Sequence, residues 1–73
     1  GEAIATLGKL GVSSIPALMS ALESKAPYVR SSAAWVLASF NAMAKPAIPA
    51  LTAALKDEDW QVRWVAAYAL GCI

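Results

Sequence analysis

Covalent or acid–base chemistry in this sequence would have to come from very few side chains. Histidine is absent, which removes the commonest general base and the commonest metal ligand. Cys72 is the single thiol. With no imidazole to activate it, it reads as a small side chain rather than as a nucleophile. The acids Asp57, Glu58 and Asp59 are adjacent, which suits a solvated turn and a helix cap better than a catalytic pair. Their spacing is not that of a calcium-binding loop. No glycine-rich phosphate loop, nucleophile elbow or metal-spaced ligand set occurs. The expectation is a protein with no catalytic residues, no cofactor and no metal.

Recognition is better provided for. Of six aromatic residues, Tyr28, Trp35, Trp60, Trp64 and Tyr68 cluster in two short stretches, and Trp60, Trp64 and Tyr68 follow one another at intervals of four. On a helix that interval makes a single ridge. Tryptophan and tyrosine bring large contact area at low side-chain entropy cost, which is why they mark interaction surfaces. Whether the ridge meets a partner, packs on a flanking unit or is ordinary core depends on the elements that carry it.

Those elements are set by a repeat. A shift of 33 residues lays Ile15-Pro16-Ala17-Leu18 on Ile48-Pro49-Ala50-Leu51, Ala21-Leu22 on Ala54-Leu55, and Val29-Arg30 on Val62-Arg63. The same shift lays Ala33-Ala34 on Ala66-Ala67, Trp35 on Tyr68 and Leu37 on Leu70. Leu7-Gly8-Lys9-Leu10 resembles Leu70-Gly71-Cys72-Ile73, a further partial copy. The expected organisation is one domain over 1–73, with a partial repeat at 1–11, a second at 14–41 and a third at 46–73. Each full unit reads as two helices. The first begins near Ser14 or Pro46 and carries the stripe Ile15, Leu18, Leu22 or Ile48, Leu51, Leu55. The second carries Val29, Ala33, Leu37 or Val62, Ala66, Leu70. Pro16 and Pro49 fall in first turns, where a missing N–H does little harm. Ser14 and Asp59 are predicted N-caps, and Pro27 opens the second helix of its unit. Residues 41–46 read as the longest connector. No stretch alternates like a strand and no Asn-Gly or Asp-Gly turn occurs.

Composition sets the limits. Hydrophobic residues make up 59% of the chain, and alanine supplies much of the excess over an ordinary soluble domain, as close-packed helices require. The longest uncharged stretches, 10–22 and 31–44, are shorter than the roughly 20 residues of a spanning helix. No signal-peptide pattern opens the sequence, and the expected location is cytoplasmic. Six basic against five acidic residues give a net charge of +1, little reason to expect nucleic acid or an anionic membrane as partner. The chain shows no polar modification of its outer units, so the expectation is a piece of a longer array or a unit that covers its ends by self-association.

The string Ala47-Ile48-Pro49-Ala50-Leu51, Ala54-Leu55-Lys56-Asp57-Glu58-Asp59, Val62-Arg63, Ala66-Ala67, Ala69-Leu70-Gly71 resembles a HEAT repeat. More narrowly it is similar to the short HEAT-like repeats named after phycobilisome lyases. The middle unit departs from it, with Ser24 and Ala26 in place of Asp57 and Asp59. The resemblance implies an all-α fold, an α-solenoid of stacked antiparallel hairpins with about two and a half repeats, whose second helices line a concave face. It also implies a scaffold or protein-interaction role, with part of a bilin lyase or lyase-like chromophore-handling protein as the alternative. Irregular connectors favour a natural sequence over a consensus design.

Within that frame Arg30 and Arg63 are expected to tie helix starts to nearby loop carboxylates or carbonyls, not to bind an anion. Asp59 lies one turn before Arg63 and is its expected i,i+4 partner. Arg30 must look to Asp57, Asp59 or a carbonyl of the next unit. The expected partner-binding set is Tyr28, Ser31, Ser32, Trp35, Trp60, Gln61, Trp64, Val65 and Tyr68, all off the Val-Ala-Leu stripe; Phe40 is expected in the core.

Overall fold

A computed structural model describes residues 15–73. Among them every regular element is helical: α1 over residues 15–21, α2 over Pro27–Ser39, a 3-10 helix over Asn41–Ala47, α3 over Ile48–Ala54 and α4 over Trp60–Cys72. The predicted partial repeat at 1–11 and the Ser14 cap lie outside the described residues.

The two long helices start in the same backbone geometry by different means. Ala26 and Asp59 both hold an extended conformation just before the first helical residue. In α2 the cause is Pro27, which fixes its own φ and forces the preceding residue out of the helical region. In α4 the Asp59 carboxylate accepts hydrogen bonds from the backbone N–H groups of Gln61 (2.9 Å) and Val62 (3.2 Å), pairing two donors that the helix leaves open. Helix α2 ends at Ser39, and Asn41 just beyond it has a φ of 51°, the left-handed conformation that commonly follows a helix end. The expected loop at 41–46 is a 3-10 helix running directly into α3. It is held there because Ala44 and Ala47 are fully buried, so the segment is packed rather than draped over the surface.

The core is mostly alanine. Ala33, Ala34, Ala38, Ala44, Ala47, Ala54, Ala66 and Ala69 are buried, joined by Ile15, Leu22, Leu37, Leu51, Val62 and Val65. Side chains this small let helix axes come close; α2 packs extensively against α4, and α3 packs against α4 as well. Leu37, Leu51 and Val62 are the largest fully buried side chains. Phe40 is half-buried and packs on this cluster, as predicted.

Several stripe residues sit differently from expectation. Helix α2 buries Arg30, Ala33, Ala34, Leu37 and Ala38, whereas Val29 is exposed. Helix α4 buries Val62, Val65, Ala66 and Ala69, with Leu70 only half-buried. Both sets follow the i, i+3, i+4, i+7 rule of an amphipathic helix, but they are opposite flanks of the same repeat pattern. The α2 flank at 30, 34 and 38 has its counterparts at 63, 67 and 71, all exposed. The reason is packing: each helix is apolar over a wide arc and buries the part that faces the other. Likewise Ile48 and Leu55 are exposed although their counterparts Ile15 and Leu22 are buried. The neighbouring helices differ, not the side chains.

Because β-branched L-residues are strained in the left-handed region, where asparagine and the achiral glycine are tolerated, Asn41→Val should destabilise the fold by about 1–2 kcal/mol. Asn41→Gly should leave stability unchanged or slightly raised. Urea unfolding followed by helical circular dichroism measures both.

Candidate functional site

The two repeated arginines form a matched pair of contacts beneath the second helices. Arg30 Nη1 donates to the Ser24 carbonyl at 2.7 Å, and Arg63 Nη1 donates to the Asp57 carbonyl at 2.7 Å. Ser24 and Asp57 are themselves repeat counterparts. Each also caps its own turn: the Ser24 hydroxyl accepts from the Ala26 N–H at 3.2 Å, and Asp57 Oδ1 accepts from the Asp59 N–H at 2.9 Å. The expected Arg63–Asp59 ion pair does not form. Asp59 spends its carboxylate on the α4 N-terminus, and Arg63 reaches the Asp57 carbonyl instead.

Arg30 does more than its counterpart. Its Nε and Nη2 donate to Asp57 Oδ2 at 2.8 Å and Oδ1 at 3.0 Å. This is a two-pronged, charge-assisted contact of the kind a guanidinium makes best. It joins one unit to the next, and it selects Asp57 among the three partners open to Arg30. The guanidinium, followed by the Asp59 N–H, holds the Asp57 carboxyl below its ordinary value of 3.8, and Asp57 in turn raises Arg30. Arg30 is buried in these contacts, whereas Arg63 is exposed and holds the one carbonyl.

Above this layer lie the aromatics, and all five are exposed, from 47% at Tyr68 to 79% at Tyr28. Tyr68 stacks on Trp35 across the α2–α4 seam, with ring centres 5.1 Å apart. It also lies nearly parallel to Trp64, one turn earlier on its own helix, at 6.0 Å. Between the helices runs a groove of about 580 Å³ lined by Tyr28, Ser31, Ser32, Trp35, Val36, Trp60, Gln61, Trp64 and Val65. The groove brings together eight of the nine residues expected to contact a partner, all but Tyr68. Val36 joins the lining, four residues after Ser32 on the same face. Tyr68 lies outside the groove and lines a smaller hollow of about 210 Å³ with Trp35, Ser39, Asn41 and Cys72.

Two of the predicted contact residues take a different part. Ser31 and Val65 are buried and form the groove floor. The Ser31 hydroxyl donates to the Tyr28 carbonyl at 3.0 Å, which turns it into its own helix. Val65 is drawn in because it lies on the α4 flank that packs against α2. Ser32 is half-buried and Gln61 exposed. Among the described residues no charged side chain lines the groove. Among the described residues no cluster of three or more potential metal ligands occurs, and no helix is long and apolar enough to cross a membrane.

The profile of the HEAT repeats matches residues 1–71. The chain belongs to the HEAT-repeat family. No curated protein matches it. HEAT repeats are commonly protein-interaction scaffolds and are generally non-enzymatic. In this HEAT-repeat chain the arginine layer holds the helices that present the groove.

Because the folded Asp57 carboxyl is held below 3.8, its contribution to stability is complete above that pH and is lost as pH falls through the lowered value. Asp57→Asn should therefore lower the melting temperature at neutral pH. It should also flatten the decline in melting temperature expected when the native chain is acidified below 3.8. Thermal melts of both chains across that range test the sign.

Proposed function

We propose that this chain is a non-catalytic interaction module that holds a protein partner in the aromatic groove between α2 and α4. The observation that carries the reading is that the aromatic residues are exposed together while a core of alanine, leucine and valine is complete without them. Exposed apolar patches of this kind mark interaction sites. The contact set is Tyr28, Ser32, Trp35, Trp60, Gln61, Trp64 and Tyr68, over a floor of Ser31 and Val65.

The reading includes the stacking of units 14–41 and 46–73 as an α-solenoid with α2 and α4 on its concave side. The broad α2–α4 packing and the burial of opposite flanks support it. It also includes the narrower likeness to the phycobilisome-lyase type of repeat, supported by the string from Ala47 to Gly71.

Peptides selected from a displayed library on the native chain should lose binding to Trp60→Ala and to Trp64→Ala. Each substitution should change stability by no more than roughly 0.5 kcal/mol, as surface positions do. Loss of about 3–5 kcal/mol, the effect of removing a core tryptophan, would place the rings in the core and end the proposal.

A further inference from the structure

We propose that the outer face of the second unit, carrying Ile48, Leu55, Arg63, Ala67 and Gly71, docks a further helical-hairpin unit whose turn supplies a carboxylate to Arg63. The inference extends the packing of the two units and does not depend on what the groove holds. Its template lies inside the chain. The counterparts of these residues are Ile15, Leu22, Arg30, Ala34 and Ala38, and all of them are buried. On the outer face every one is exposed. Four of the pairs are the same residue, and the last exchanges alanine for glycine. The chain therefore carries one docking face twice, covered in the first unit and exposed in the second.

The arginines carry the likeness to the level of single atoms. Arg30 Nη1 and Arg63 Nη1 each donate to the counterpart carbonyl of their own unit, at Ser24 and Asp57, both at 2.7 Å. Arg30 then places Nε and Nη2 on the Asp57 carboxylate of the next unit, at 2.8 and 3.0 Å. Among the described residues the Nε and Nη2 of Arg63 meet no acceptor. A guanidinium held at one corner by a carbonyl presents its remaining donors as a fixed fork, which a carboxylate matches with both oxygens.

Small residues set the second requirement. Ala34 and Ala38 form the α2 side of the seam that α4 approaches, and Ala67 and Gly71 repeat that seam on α4. Glycine is disfavoured against alanine in a helix. Gly71 has no positive φ that calls for it, and a Cβ added there would meet nothing within 4 Å. Nothing among the described residues uses its smallness, whereas a helix laid against this face would. The occupant is thus a further unit of this repeat, with an aspartate where this chain has Asp57. Its second helix carries the flank of Val62, Val65, Ala66 and Ala69, the one that α4 buries against its neighbours. In a second copy of this chain unit 46–73 already has that flank covered. Unit 14–41 would bring Ser24 in place of the aspartate and Ser32 in place of Val65, so a second copy lacks the carboxylate.

The experiment extends the native chain with a copy of its own residues 41–73 joined directly after Ile73. This keeps the 33-residue register and sets an aspartate 27 residues after Arg63, as Asp57 follows Arg30. Helical circular dichroism and thermal melting are compared between the native and extended chains. The extended chain should gain helix in proportion to its length and melt above the native chain. Arg63→Gln should lower the melting temperature roughly 4–8 °C more in the extended chain than in the native one. That excess should vanish once the appended aspartate is replaced by asparagine. Ala67→Trp, at an exposed position, should leave the native melt nearly unchanged and block the gain on extension. If the appended residues stay unfolded, or if Arg63→Gln has the same effect in both chains, the proposal is overturned while the groove reading stands. A dimer of the native chain in light scattering that Ala67→Trp dissolves would give the face to a second copy and overturn the proposal as well.

Discussion

Among the described residues Arg30 is the one buried charge, and the relation between the two units turns on how it is neutralised. Its guanidinium meets a carbonyl of its own unit at Ser24 and a carboxylate of the next at Asp57. A guanidinium has fixed donor directions, so these contacts constrain relative position as well as charge. Asp57 is held in turn by the turn it caps, through the Asp59 N–H. Asp59 then orders the start of α4. One arginine thus couples the register of α2 to the first turn of α4. With that charge satisfied, no buried side-chain polar atom among the described residues lacks a partner, and small alanines can bring the helices together around it.

This layer explains the division of labour across the second helices. Apolar burial is non-directional and would accept tryptophan as readily as alanine. A close helix-to-helix approach, however, leaves room only for small side chains at the seam. Bulky rings are displaced to the outer rim of the same helices, where Trp35 and Tyr68 bridge the seam from above. The groove follows from a small-residue seam flanked by large rims.

Much of the fold was legible in the sequence because a repeat reports its period directly. The 33-residue shift pairs α2 with α4, and Pro27 and Asp59 marked their starts by known stereochemistry. The aromatic ridge was legible for a similar reason: intervals of four put Trp60, Trp64 and Tyr68 on one face, away from the alanines. What could not be read was which flank of each helix would be covered. Val29 and Val62 are the same residue in the same repeat position, yet one is exposed and the other buried. A one-dimensional pattern carries no information about which side a neighbour occupies. The burial of Arg30 and the packing of residues 41–47 were hidden likewise, since a charge normally signals surface and an Asn-Ala-Met-Ala run normally signals a loop. Arg63 also misled through proximity: Asp59 was within reach but already engaged by backbone N–H groups.

The unequal flanks of α2 and α4 have a consequence for symmetry. Two surfaces that fit each other without being alike make a heterologous joint, related by translation and rotation rather than by a two-fold axis. Such a joint is not closed by pairing two copies, as a two-fold contact is. Whatever copies it in sequence lengthens the assembly in one direction, and every addition presents the same unlike pair of faces outward. Grooves like the one between α2 and α4 would then recur along one side with a fixed polarity. On the proposed reading, a peptide lying along them would be read in one direction only, so that its amino-to-carboxyl sense would become part of what is recognised.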